Sequence, residues 1–133
     1  MKRYMLDTNA VSHFIKSHPV VSRRIMATPM SALCLSAITG GELMFGLAKM
    51  PEAKRLQQVI AELLRRVDVL PWDERAMRCY GSVRAGMARR GNVLGPLDML
   101  IAAHALAADA VLVTHDAAFG RVDGLRVEDW TRG

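Results

Sequence analysis

Short apolar runs alternate with stretches of helical period along this chain. Tyr4-Met5-Leu6 is the first run, and it ends abruptly in Asp7-Thr8-Asn9. Ala32-Leu33-Cys34-Leu35 is the second, closed by Ser36, and Val67 to Leu70 is the third. Ala110-Val111-Leu112-Val113 is the clearest and exits through Thr114-His115-Asp116; Leu125-Arg126-Val127 gives a last short one. Runs of this length, mostly apolar and bounded by polar or turn residues, predict short strands, buried on both faces where no charge interrupts them.

The intervening stretches predict helices. One spans Asn9 to about Lys16 and is broken by Ser17-His18-Pro19, and Pro19 opens another that ends at Thr28-Pro29. A third runs from Ser36 or Thr39 to about Lys49, with Gly40-Gly41 weakening its start. Pro51 stops it and is expected to open the next, whose apolar face is Leu56, Val59, Ile60, Leu63 and Leu64. Asp73 precedes a helix from Glu74 to about Arg90, stopped by Gly91-Asn92, and Gly95-Pro96 opens a last one through Ile101, His104, Ala105 and Leu106. Strands alternating with helices predict an α/β domain, a three-layer α/β/α arrangement around a central, mainly parallel sheet of four to five strands.

At 133 residues, 51% of them hydrophobic, the chain is sized for one domain, residues 1–133, with a proper core. No apolar run reaches the ~20 residues that cross a bilayer, and Met1-Lys2-Arg3-Tyr4 lacks the apolar stretch of a signal peptide. Cys34 and Cys79 have no CxxC partner, so they read as core thiols in a reducing cytoplasm. Met44, Met50, Met77, Met87 and Met99 fall in helical stretches and read as core filler, and His104 as a packed helix residue.

The net charge of +5 suits an anionic partner, and 5% aromatics argues for contacts to a nucleic-acid backbone rather than a base-stacking surface. Arg89 and Arg90 can serve as such contacts or as an ordinary solvated helix end. The chain has no GxSxG, P-loop or GxGxxG motif and no HExxH spacing among His13, His18, His104 and His115. A hydrolase triad, an NTPase and a dinucleotide site are therefore excluded.

The chemistry concentrates in acids. Asp7 and Asp116 follow apolar strands, and in an open parallel sheet ligands bind beyond the carboxyl ends of strands where the strand order reverses. Both project into that crevice if the first and fourth strands are neighbours, with Thr8, Asn9 and Thr114 adding hydroxyl and amide groups. Glu42 and Asp98 instead sit in the first turns of helices, Asp98 beside an apolar stripe of Leu97, Ile101, Ala102 and Ala105. Taken singly, each acid could merely cap a helix or complement its dipole. Together, crowded carboxylates either share protons or hold a cation, and an all-oxygen set suits Mg²⁺ or Mn²⁺. Such ions activate phosphodiesters, so acids on a basic protein point to a metal-dependent nuclease.

Four stretches carry a resemblance. Leu6-Asp7-Thr8-Asn9, Glu42-Leu43 with Gly46, Asp98 through Ile101-Ala102-Ala103-His104-Ala105, and Val113-Thr114-His115-Asp116 with Phe119 resemble the PIN-domain ribonucleases. Within that family the pattern is most similar to VapC-type toxins of bacterial type II toxin–antitoxin systems, nearly end to end. The resemblance implies a site in which Asp7, Glu42 and Asp98 form the acidic triad and Asp116 a fourth position, with Thr8, Asn9 and Thr114 as polar support. It implies Mg²⁺- or Mn²⁺-dependent cleavage of RNA, with Asp7, Asp98 and Asp116 as direct ligands and Glu42 completing the site. It also implies homodimers and silencing by a VapB-like antitoxin. Phe14, Ile15, Phe45 and Leu47 are candidates for the surface such an antitoxin covers. Three rivals differ in class or role. A non-catalytic binding module would lack some of the acids, and a phosphorylatable signalling domain would need an acidic neighbour to Asp7 and a lysine after the last strand. A housekeeping nuclease would share every motif.

Overall fold

The structure, a computed structural model, describes residues 2–133. The elements are β1 (Tyr4–Leu6), α1 (Thr8–Ile15), α2 (Pro19–Ala27), β2 (Leu33–Ser36), α3 (Ala37–Lys49), α4 (Lys54–Arg66) and β3 (Asp68–Leu70). They continue as α5 (Glu74–Arg89), α6 (Pro96–Ala107), β4 (Val111–Val113) and β5 (Val127–Glu128). All strand pairings are parallel and the sheet order is β3-β2-β1-β4-β5. The chain winds outward from β1 to β3, then returns to place β4 on the other side of β1. With right-handed crossovers, that reversal puts helices on opposite faces.

Strand periodicity divides the core accordingly. Leu6, Leu33, Leu35 and Val113 face one way and pack with Val11, Val21, Ile25, Ile60 and Leu63 from α1, α2 and α4. Met5, Cys34 and Leu112 face the other way, against Met87, Met99, Ile101, Ala102 and Ala105 from α5 and α6. Small residues on α6 let it lie close over the sheet, and His104 is buried there, its Nδ1 2.7 Å from Ser36 Oγ. The C-terminal Trp130 seals the first face: its ring lies 5.4 Å from that of Tyr4 and 4.6 Å from the Arg24 guanidinium.

Several details depart from the sequence reading. The helix after Pro51 begins only at Lys54, because residues 51–53 form a turn with Ala53 N donating to Met50 O. α3 runs unbroken from Ala37 through Gly40 and Gly41, started by Ser36 Oγ accepting from Ile38 N. β3 is an edge strand, so its Asp68 and Val69 are exposed rather than buried. Met44, Met50 and Met77 stand in solvent, and of the five methionines read as core filler Met87 and Met99 are buried. Cys34 is buried as expected, whereas Cys79 is only partly covered, because α5 packs through one face alone. α5 ends as read: Gly91, at φ +72°, lets Asn92 N reach Met87 O and its own N reach Ala88 O.

Candidate active site

The reversal in strand order lies between β1 and β4, and both strands end in site residues. Asp7 N donates to Val113 O at 3.1 Å, which locks the two strand exits together. The Asp7 carboxylate turns inward, only 3% exposed, and caps α1 by accepting from Ala10 N at 2.7 Å. The Thr114 hydroxyl also bonds it, and the same oxygen receives Asp116 N at 3.0 Å. Capping and site-building are thus one arrangement. Asn9 Oδ1 accepts from His115 N at 3.1 Å, a second tie between α1 and the β4 exit.

Glu42 reaches the same place from the second turn of α3. Thr8 Oγ1 donates to its Oε1 at 2.6 Å, which orients the carboxylate across the cleft. Asp98 arrives from the first turn of α6, and its Oδ2 stands 3.7 Å from where a Cβ on Gly95 would lie. Asp116 caps a short 3₁₀ turn by accepting from Ala118 N at 2.9 Å.

A cleft of about 360 Å³ is lined by Asp7, Thr8, Asn9, Glu42, Asp98 and Asp116, together with Ser12 and Phe119. All four sequence-derived acids therefore meet in one concavity, with Thr114 beneath them. Ser12 is the addition: it follows Asn9 by three positions on α1, the spacing of neighbours on one helix face. This cleft is smaller than the one beside α6, which measures about 540 Å³.

The electrostatics are one-signed. No Lys or Arg lines the acid cleft. Burial pushes the Asp7 carboxyl up from 3.8 to about 6, aided by the charges of Asp98 and Asp116 and resisted by the bonds from Thr114 and Ala10. Asp98 is also raised, by burial first and then by Asp116 and Glu42. Among the described residues, no three Asp, Glu, His or Cys side chains converge on a common point as they stand. Mutual repulsion and the separate anchors on Glu42 and Asp116 account for that spread. The donor set nonetheless fits a hard divalent cation: carboxylate and hydroxyl oxygens, no soft ligand, and unbalanced negative charge.

The PIN domain family matches residues 4–125. The chain belongs to it. Over 132 residues it is 38% identical to the tRNA(fMet)-specific endonuclease VapC of Shigella flexneri, covering 98% of this chain and 100% of that one. The enzyme of the same name from Salmonella typhimurium is 37% identical over 131 residues, covering 98% and 99%. Among solved structures, DNA-bound VapBC from Salmonella typhimurium superposes with a TM-score of 0.89 at 37% identity, covering 98% of this chain and 99% of that chain. VapBC2 from Rickettsia felis, bound to a promoter DNA fragment, gives 0.87 at 29%, covering 96% and 98%. The fold and the type expected from the sequence, a VapC-type PIN domain, are what these likenesses show. Among the described residues, no helix is long and apolar enough to cross a membrane.

Proposed function

We propose that this PIN-domain protein is a Mg²⁺- or Mn²⁺-dependent endoribonuclease, the toxin of a type II pair, acting in the cytoplasm as a homodimer. The observation that carries the reading is the convergence of Asp7, Glu42, Asp98 and Asp116 on a cleft with no basic side chain. Asp7, Asp98 and Asp116 are the groups to hold the ion, with Glu42 completing the site. When bound, the ion supplies a Lewis acid that offsets charge growing on the phosphate during hydrolysis.

The chain's own part is positioning. Ala10 N, donating to Oδ1, and Thr114 fix the Asp7 carboxylate in place. Thr8 holds Glu42 Oε1, which leaves Oε2 to accept a hydrogen bond from a water entering the cleft. The cognate VapB-like antitoxin would neutralise the acids with a basic side chain and lay an apolar segment nearby. Phe45, 64% exposed on α3, is available to such a segment, whereas Phe14, Ile15 and Leu47 pack partly against the core.

The test is cleavage of initiator tRNA and of an elongator tRNA by antitoxin-free protein, with Mg²⁺ or Mn²⁺, with chelator, and with Asp98→Asn. Metal-dependent cuts lost in the variant support the reading, and a preference for initiator tRNA extends to this chain the specificity in the names of its relatives. Cleavage surviving in Asp98→Asn places the chemistry elsewhere. A folded, metal-loaded protein that cuts neither RNA favours the binding module.

A further inference from the structure

A second concavity lies between the second half of α5 and the start of α6, the helix that also carries Asp98, and the chemistry assigned above makes no use of it. Its volume, about 540 Å³, falls among those of clefts that bury small ligands. Ala88, Val93, Leu94, Pro96 and Met99 make its apolar walls, and Tyr80, Arg84 and Asn92 supply the polar groups. We propose that this cleft receives one nucleobase of the substrate RNA, next to the phosphodiester held over the acids. The proposal rests on the ribonuclease reading for the identity of the ligand.

Three observations converge on a base. The first is a prepared aromatic face. Trp72 stands edge-on to Tyr80 at 6.0 Å and is itself fixed by Nε1 donating to Leu100 O at 3.0 Å. The second is a cation without a counter-charge. Arg84 donates to the Tyr80 hydroxyl at 2.7 Å with its guanidinium 5.8 Å from that ring, and among the described residues neither it nor Arg89 makes an ion pair. A planar apolar ligand beside a phosphate suits that pairing, and the Asn92 amide can donate to and accept from a base edge. The third is continuity. The start of α6 contributes to both concavities: Pro96 and Met99 line this one, and Asp98, between them in sequence, lines the acid cleft. An RNA strand that runs from the acids along the start of α6 brings a neighbouring nucleotide to this cleft. Aromatic residues are scarce in the chain, but one such position is enough to impose a preference.

The test uses full-length Asp98→Asn protein, so that RNA survives, and a single-stranded RNA oligonucleotide carrying one 2-aminopurine within random sequence. A matched oligonucleotide with an abasic site replaces it in a parallel anisotropy titration. Ala88 is exposed on α5, so Ala88→Trp fills the cleft without touching the core. Expected is a saturable change in 2-aminopurine fluorescence whose apparent Kd rises about tenfold in Ala88→Trp, while abasic RNA binds both proteins alike. Asn92→Ala should alter which natural bases compete with the probe. Equal binding of the 2-aminopurine oligonucleotide by both proteins would overturn the proposal. So would equal weakening for both RNAs, or an Ala88→Trp effect confined to oligomeric mass, which would assign the cleft to a second copy. Absence of cleavage by the protein with Asp98 intact, alongside a positive fluorescence result, would sink the nuclease reading and leave the base site standing.

Discussion

Asp7→Asn should stabilise the folded protein at neutral pH, although the change removes a candidate metal ligand. Asp7 is almost wholly buried, and its carboxyl is pushed from 3.8 to about 6. At about 1.4 kcal/mol per pH unit, keeping it ionised in the fold costs about 3 kcal/mol above pH 6. The sign follows from proton counting. The unfolded chain gives up this proton near 3.8 and the native state near 6, so between them the native state binds more protons and stability falls as pH rises. Asn keeps an acceptor for Ala10 N and can donate to the Thr114 hydroxyl, so the cap survives without the charge. Urea unfolding with chelator present, at intervals from pH 4 to pH 8, should show the variant's advantage growing from its pH 4 value by about 2.5 kcal/mol, the rest being already present at pH 4. That is about 10 °C in Tm for a chain of this size. An advantage that does not change with pH, or one that shrinks as pH rises, would refute the account of Asp7 as a destabilised carboxylate.

Added Mg²⁺ should raise the Tm of the native sequence at pH 7.5 and raise that of Asp98→Asn far less, read by calorimetry without any RNA. Thr8→Val should lower kcat about tenfold while Tm stays within a few degrees, since the hydroxyl orients Glu42 and holds little else. Gly91→Ala should cost about 1–2 kcal/mol in urea unfolding, from its φ of +72° alone, because nothing stands near its missing Cβ. Trp130→Ala should cost about 3–5 kcal/mol, since the ring fills the core between Tyr4 and Arg24.

The acid cleft was legible because each part has a local cause. Tyr4-Met5-Leu6 and Val111-Leu112-Val113 are uniformly apolar because both faces of a central strand are covered, and the first polar residue after each must lie at the sheet's rim. Once β1 and β4 are neighbours, Asp7 and Asp116 have nowhere to go but the same crevice. Asp98 and Glu42 were legible through helix starts, although Glu42 lies a turn deeper than a first-turn acid. Methionine gave the poorest signal. Its helical spacing is the same whether the face it marks is covered or open, so Met87 and Met77 could not be told apart. The same holds for Cys79 on α5, whereas Cys34 lies in an apolar strand run covered on both faces. The base cleft was invisible because its walls come from two helices and a loop whose approach depends on how α5 lies across α6.

The bond from His115 N to Asn9 Oδ1 spans 106 positions of chain. During synthesis the first strand therefore waits for a neighbour made long after β2 and β3, which take its other side. Until then Asp7 and Asp116 have no common cleft, and the partly made chain has no assembled site to act on the RNAs around it. The winding order of the sheet thus works as a timer: for a protein that attacks RNA, the hazard appears only once synthesis has passed Asp116.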